Sequence, residues 1–318
     1  MNLSGFLIRR LGSVIPTLVF VSIIVFGLQL LIPGDAAVAM AGDELNDQAV
    51  QEIREKYGFD QPIYVQYVKW ISNIAVGDFG DSYRNKISVG ELILLKLPVT
   101  LQLAVFSMVI ALAIGIPAGI VAATKKDSVI GTAANIFALS GISIPNFWLG
   151  ILLILVFSVN LGLLPSSGYV PPWVDLRQNV LSLIMPAVVL GTGVAGVITR
   201  HTRGAMLQVL SSDYVRTARA KGVSERRVIV KHALRNALVP VITLSTIEFG
   251  QLLSGAILTE QIFSIPGFGK LIVDAVFHRD YAVVQGVVLV TAAIFLMLNF
   301  LADVLYFVVN PRMRSAHG

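Results

Sequence analysis

Six stretches of this chain, 11–32, 99–123, 132–159, 181–198, 238–258 and 283–309, run for 18 to 28 residues with only two acidic or basic side chains among them, Glu248 and Asp303. A hydrocarbon layer about 30 Å thick is crossed by about 20 apolar residues as a helix, or by about 9–11 as a barrel strand. Runs this long therefore point to helices, which satisfy every backbone N–H and C=O within the segment. The expectation is an all-α integral membrane protein with six transmembrane helices.

Charge placement orients them. The 318 residues are 55% hydrophobic and 14% charged, with a mean hydropathy of +0.78, whereas a soluble domain carries about 25% charged residues. The net charge of +5 could suggest nucleic acid. Yet the positive residues sit in short segments flanking apolar runs, which is how topology is set. Nucleic acid is therefore excluded as a partner. With the amino terminus inside, the inner segments hold Arg9, Arg10, Lys125, Lys126, nine Lys or Arg between Arg200 and Arg235, Arg312 and Arg314. Their acids are Asp127, Asp213 and Glu225, while the outer segment 34–98 has six basic and ten acidic residues. Both termini are thus expected to be cytoplasmic. Three parts follow: 1–33, an amino-terminal segment and first helix; 34–98, an extracytoplasmic helical cap; and 99–318, a five-helix core carrying a cytoplasmic segment at 200–237. Arg9–Arg10, an apolar run and AAVAMAG imitate a secretory signal, but the run of 22 residues exceeds a signal core of about 7–15. It reads as an uncleaved helix.

In the cap, Asn46 or Asp47 can start a helix that Gly58 stops. Pro62 suits the start of a second helix reaching about Ala75, with Val65, Val68, Ile71 and Ile74 on one face. Gly77-Asp78-Phe79-Gly80 reads as a turn, and Val89–Leu97 as an amphipathic lead-in to the second span. Pro16, Pro117, Pro145, Pro186 and Pro240 fall inside spans, either as simple kinks or as bends around a path. Gly115 with Gly119, and Thr192 with Gly196, stand four apart and permit close helix contact.

Several chemistries drop out. GTGVAG, Gly191–Gly196, has dinucleotide spacing but lies within an apolar span with no strand before it, so helix packing explains it. Gly269-Lys270 is followed by Leu271 rather than a hydroxyl, so no Walker A loop exists and this chain is not expected to hydrolyse ATP. His201, His232, His278 and His317 are dispersed, and cysteine is absent. No metal site, bound cofactor or catalytic constellation is expected.

Two features remain. Glu248, Gln251 and Ser254 follow one another at three-residue steps in the fifth span and read as a polar stripe. It would line a translocation path or bond another helix or subunit. The second feature is Asp213, Tyr214, Val215, Arg216, Thr217, Ala218, Arg219, Ala220, Lys221 and Gly222. Ser211 or Ser212 can cap a helix from Asp213 to Lys221, ended by Gly222. Ser224 caps a second, with Arg227, Lys231 and Arg235 in one stripe beside an apolar face of Val230, Ala233, Leu234 and Ala237. A helix on anionic lipid is one reading. The first helix is short and weakly apolar, which suits a protein groove better.

That segment, YVRTARAKG…HALRNALVPV, resembles the cytoplasmic signature of permease subunits from ATP-binding-cassette importers of the dipeptide/oligopeptide/nickel class. The general signature has Glu-Ala-Ala four residues before its Gly; here Arg216-Thr217-Ala218 precede Gly222 and only Ala218 matches. Pro33-Gly34-Asp35, YGFDQPIYVQYVKW, GDFG, GISIPNFWLG, EQIFSIPGFGKL and RDYAVVQG also look like this family, so the resemblance covers essentially the whole chain. It implies a type I importer permease fold in the bacterial cytoplasmic (inner) membrane. It further implies a second homologous permease, two ATPases that dock on Asp213–Gly222 and hold ATP and Mg, and an extracytoplasmic substrate-binding protein. The large outer loop is similar to that of the first of the paired permeases. A secondary transporter or channel is the alternative; it would show paired broken helices in two halves, and no convincing inverted repeat is visible.

Overall fold

The computed structural model describes residues 3–31, 37–38 and 46–309. Pro33-Gly34-Asp35, most of AAVAMAG, Arg312 and Arg314 lie outside the described residues. Those described form helices and turns, with one isolated β-bridge between Asp81 and Ser88. In chain order the helices are α1 (Leu3–Leu31), α2 (Asp47–Tyr57), α3 (Ile63–Ala75), α4 (Val89–Thr124), α5 (Val129–Ser143), α6 (Asn146–Asn160), α7 (Leu176–Leu210), α8 (Asp213–Ala220), α9 (225–262), α10 (Phe268–Phe277) and α11 (Tyr281–Val309).

Among the described residues, four helices are long and apolar enough to cross a membrane: α4, α7, α9 and α11. The pair α5–α6 makes a fifth if taken together, but it bends by 100°, so the expected run 132–159 is not one rod. The cause is local. Pro145 opens α6, and Ile144 before it is extended at ψ 124°, because the proline ring clashes with a helical preceding residue. The helices at Pro16, Pro98, Pro117, Pro186 and Pro240 continue through them. α1 contributes a shorter apolar stretch, Gly12–Gly27.

The core lies where α4, α7 and α9 meet, around Leu103, Leu183, Ile198, Val241 and Phe263. Small residues let the backbones touch. A Cβ on Gly115 would lie 2.9 Å from the Ala195 carbonyl oxygen, and one on Gly119 would lie 2.8 Å from that of Thr199. On the same face of α7 a Cβ on Gly191 would lie 2.8 Å from the Ser107 carbonyl oxygen of α4, and across the other face one on Gly141 would come within 2.8 Å of the Thr192 carbonyl oxygen. The glycines of GTGVAG are thus used for packing against α4 and α5. A side chain at Gly191 or Gly196 would force the helices apart, whereas a Cβ on Gly193 would make only ordinary contacts.

Two helices overrun their expected spans. α4 has 36 residues and α7 has 35, so each is about 52–54 Å long. α4 starts at Val89, with Ser88 accepting from the Glu91 N–H, and runs unbroken across position 98. At its carboxyl-terminal end α7 carries Arg200, His201 and Arg203 to Leu210. The cap keeps its expected signals: Asn46 accepts from the Gln48 N–H, and Gly58 is left-handed at φ 72°. On α3, however, Val68 is exposed, and the face that meets α1 is aromatic. Tyr67 and Trp70 pack on Phe26, and the Tyr67 and Ser22 hydroxyls lie 2.8 Å apart. Near the start of α1, Arg10 pairs with Asp303 of α11 at 2.9 Å.

Candidate functional site

α8 is pinned on one face and open on the other. Val215 and Ala218 are buried with Val228 beneath them, packed on Val209, Leu210 and Val223. Asp213, Tyr214, Arg216, Thr217, Arg219, Ala220 and Lys221 are exposed. Tyr214, Thr217 and Lys221 share one outward line by helical spacing. The helix ends in a Schellman motif: the Val223 N–H donates to the Ala218 carbonyl at 3.2 Å and the Gly222 N–H to that of Arg219 at 2.9 Å. Gly222 has φ 74°, the conformation this closure requires. Ser212 and Ser224 precede their helices as expected, but neither side chain caps one. The Ser212 hydroxyl donates backward to the Val209 carbonyl at 2.6 Å.

Two side-chain links across the Gly222 turn were not anticipated from the sequence. Arg219 donates through Nε and Nη2 to both carboxylate oxygens of Glu225, at 3.0 and 2.7 Å. These hydrogen bonds hold the Glu225 carboxyl below its ordinary range and raise the Arg219 guanidinium. Tyr214 Oη accepts from Asn236 Nδ2 at 2.7 Å and donates to the His232 carbonyl at 3.3 Å. Six- and 22-residue separations leave no periodic signal. Only the opposite charges flanking a Gly turn could have hinted at the first.

The segment after the turn differs from an ideal helix. Glu225–Arg227 leads through a π-helical stretch, Val228–Ala233, into Leu234–Ile262. The extra residue per turn aligns Val228 with Ala233 and Ala237, all buried, and turns Val230 outward. The apolar face expected from α-periodicity is corrected accordingly. This second helix is the start of the long apolar helix α9 rather than a separate surface helix.

Glu248, Gln251 and Ser254 do not share one environment. Glu248 is buried, whereas Gln251 and Ser254 are exposed on this chain. Steps of three fall 60° short of a full turn each time, so the stripe winds across the helix. Arg200 acts on Glu248 electrostatically. Two fully buried carboxylates escaped the sequence reading. Glu260 accepts from the Thr100 hydroxyl at 2.5 Å and from the Lys270 N–H at 2.9 Å, and also bonds the Gly269 backbone. The Thr100 oxygen itself accepts from the Phe268 N–H at 2.7 Å. Together they satisfy the first donors of α10, tying α4, α9 and α10 at one point. Asp280 accepts from Ser82 at 2.6 Å, joining the loop before α4 to the start of α11. Its place directly before a helix was the legible sign. Among the described residues, no cluster of His, Cys, Asp or Glu could hold a metal ion.

Residues 115–315 match the family described as "Binding-protein-dependent transport system inner membrane component", and residues 3–104 match its amino-terminal companion. The chain belongs to this family. It is 42% identical to the dipeptide transport system permease protein DppB of Escherichia coli K12, over 97% of this chain and 98% of that one. It is 43% identical to the di/tripeptide transport system permease protein DppB of Pseudomonas aeruginosa, over 98% of each. Among solved structures, the inward-facing MetNI methionine ABC transporter aligns with a TM-score of 0.57 at 21% identity, covering 69% of this chain and 96% of that one. An amino acid ABC transporter aligns at 0.51 and 15% identity. The chain is therefore a multi-pass permease subunit of an ABC importer, with that fold. It is a transport subunit, not an enzyme.

Proposed function

We propose that this permease is one of two paired membrane subunits of a binding-protein-dependent importer of peptides or closely related solutes. It sits in the bacterial cytoplasmic membrane with six spans, α1 and the bent α5–α6 pair included, and with both termini inside. The excess of Lys and Arg on the inner segments supports that orientation. Two ATPases dock on Asp213–Gly222 and hold the ATP and Mg; an extracytoplasmic protein delivers substrate to the outer face. Cargo of the peptide class rests on the near full-length likeness to dipeptide permeases.

One observation carries the mechanism: the open face of α8 is joined through a closed turn to a helix that is itself the fifth span. Val215, Ala218 and Val228 pack the two together, and Arg219–Glu225 and Tyr214–Asn236 bridge them. When ATP closes the ATPase dimer, displacement of α8 passes into α9 as rigid-body motion, and the path between permeases opens outward. Hydrolysis resets it. Glu248, with Gln251 and Ser254, is the proposed polar element of that path.

Copurification tests the assembly. This chain expressed with its genomic neighbours should yield a stable complex with an ATPase, and the complex in liposomes should take up dipeptide only with ATP and binding protein. Uptake by this chain alone would refute the proposal in favour of a secondary transporter.

A further inference from the structure

On the side of the cap, a cavity of about 240 Å³ lies between α3, the loop 77–83 and the start of α11, and Phe26 of α1 closes part of it. Its wall combines apolar rings with charges of both signs. Phe26 and Trp70 pack on one another. Lys69 follows on α3, and Asp78 and Asp81 come from the loop. Asp78 Oδ1 accepts from the Gly80 N–H at 2.9 Å, within a turn whose Gly77 and Gly80 are both left-handed, at φ 88° and 80°. Neither Lys69 nor Asp81 has an ion-pair partner among the described residues. Tyr281 belongs to the same wall; it is buried, and its hydroxyl has no hydrogen-bond partner among the described residues. The buried Asp280 of the same wall is bonded to Ser82, whereas the Tyr281 hydroxyl is left as an uncommitted buried donor beside unpaired charges.

We propose that this cavity is an outer-face binding site for a small zwitterion, a dipeptide-sized molecule carrying an ammonium and a carboxylate. Lys69 meets the carboxylate, Asp78 and Asp81 meet the ammonium, and Phe26 and Trp70 take the apolar side chain. Volume limits the class. Pockets for drug-sized ligands run about 300–1,000 Å³, so this one admits a dipeptide rather than a longer peptide. The charges select against blocked termini, because an unpaired carboxylate or ammonium of the wall stays bare when its counterpart is missing. A weak site of this kind would retain substrate released at the outer face before it enters the path. The role rests on the peptide-class reading; the binding does not.

The test uses the complete importer in nanodiscs without its binding protein. Dialanine is titrated while tryptophan fluorescence is followed, and the Trp70 contribution is taken as the difference from Trp70→Phe. A saturable Trp70-dependent change is expected, weakened at least fivefold by Lys69→Gln and by Asp81→Asn. N-acetyl-dialanine amide should give none. Tyr281→Phe removes no existing hydrogen bond, so this variant should assemble normally yet bind dialanine more weakly. Absence of a saturable signal, equal response to the blocked peptide, or indifference to all three wall variants would overturn the site whatever uptake shows. A zwitterion-specific signal in a complex that transports no dipeptide would uphold the site and reject the peptide-class cargo instead.

Discussion

Replacing Gly222 with valine isolates the geometry of the proposed docking turn from its contacts. A Cβ at Gly222 meets nothing within 4 Å, so no clash follows and the cost lies in the backbone alone. At φ 74° an L side chain is strained by roughly 1–2 kcal/mol, and β-branching places valine at the upper end or beyond. Since about 1.4 kcal/mol is a tenfold change in an equilibrium, 1–2 kcal/mol is about a 5- to 30-fold loss in the closed turn relative to open alternatives. Alanine should cost less than valine. Asparagine, which tolerates the left-handed region, should cost least. The assay is the ratio of substrate taken up to ATP hydrolysed in proteoliposomes containing the assembled importer. The ratio should fall in the order Gly, Asn, Ala, Val while assembly measured by copurification changes less. Unchanged coupling in Gly222→Val would refute the argument that the left-handed turn transmits motion. Equal losses in Asn and Val would show that the residue acts through something other than φ.

Four further outcomes follow from the same geometry. Glu225→Ala removes a bidentate but solvent-exposed clasp worth about 0.2–1 kcal/mol; coupling should drop a few-fold, and the exchange Arg219→Glu with Glu225→Arg should restore part of it, which no recovery at all would contradict. Because the clasp holds the Glu225 carboxyl below its ordinary range, its contribution is complete above that range and is lost only as pH falls through the lowered value, so coupling measured between about pH 6 and 8 should be flat on its account. Glu248→Ala should reduce uptake more than assembly, and normal uptake by a fully assembled variant would remove Glu248 from the path. Glu260→Ala leaves the Gly269 and Lys270 amides without their acceptor, at about 1–3 kcal/mol for each buried donor left bare; the unfolding midpoint in detergent should fall, and Glu260→Gln should lie between it and the parent protein.

Much of the architecture was legible because it depends on one-dimensional signals. Length and apolarity marked α4, α7, α9 and α11, Asn46 and Gly58 marked α2, and glycines four apart marked the contact of α4 with α7, whereas Pro145 read like the other span prolines and only the structure singles it out as the break between α5 and α6. The helix ending at Gly222 was legible for the same reason, since only a left-handed turn makes that glycine necessary. What could not be read was contact between distant positions. Glu260 meets Thr100 across 160 residues and Asp280 meets Ser82 across 198, and no spacing rule links them. The π-helical stretch at Val228–Ala233 was hidden differently. Its residues have ordinary helical composition, and a one-residue change of period over six residues is too short to stand out, yet it exchanges Val230 for Val228 in the buried face.

That exchange bears on how force reaches the membrane. A separate amphipathic helix after Gly222 would need a flexible joint before the fifth span, and displacement of α8 would be absorbed there. In this fold the joint is replaced by a π-helical stretch whose buried Val228 also forms the floor under Val215 and Ala218, so the same side chain belongs to the proposed docking surface and to α9. Further along the helix, Glu260 is tied to α4 and α10 through Thr100, Gly269 and Lys270. Under the proposed mechanism, a push at the start of α9 acts on a helix held at both ends, and packed interfaces respond by shifting as units rather than by bending gradually. The motion admitted by this arrangement is a tilt of α9 with its neighbours, with Glu248 about midway along the helix between the two attachments.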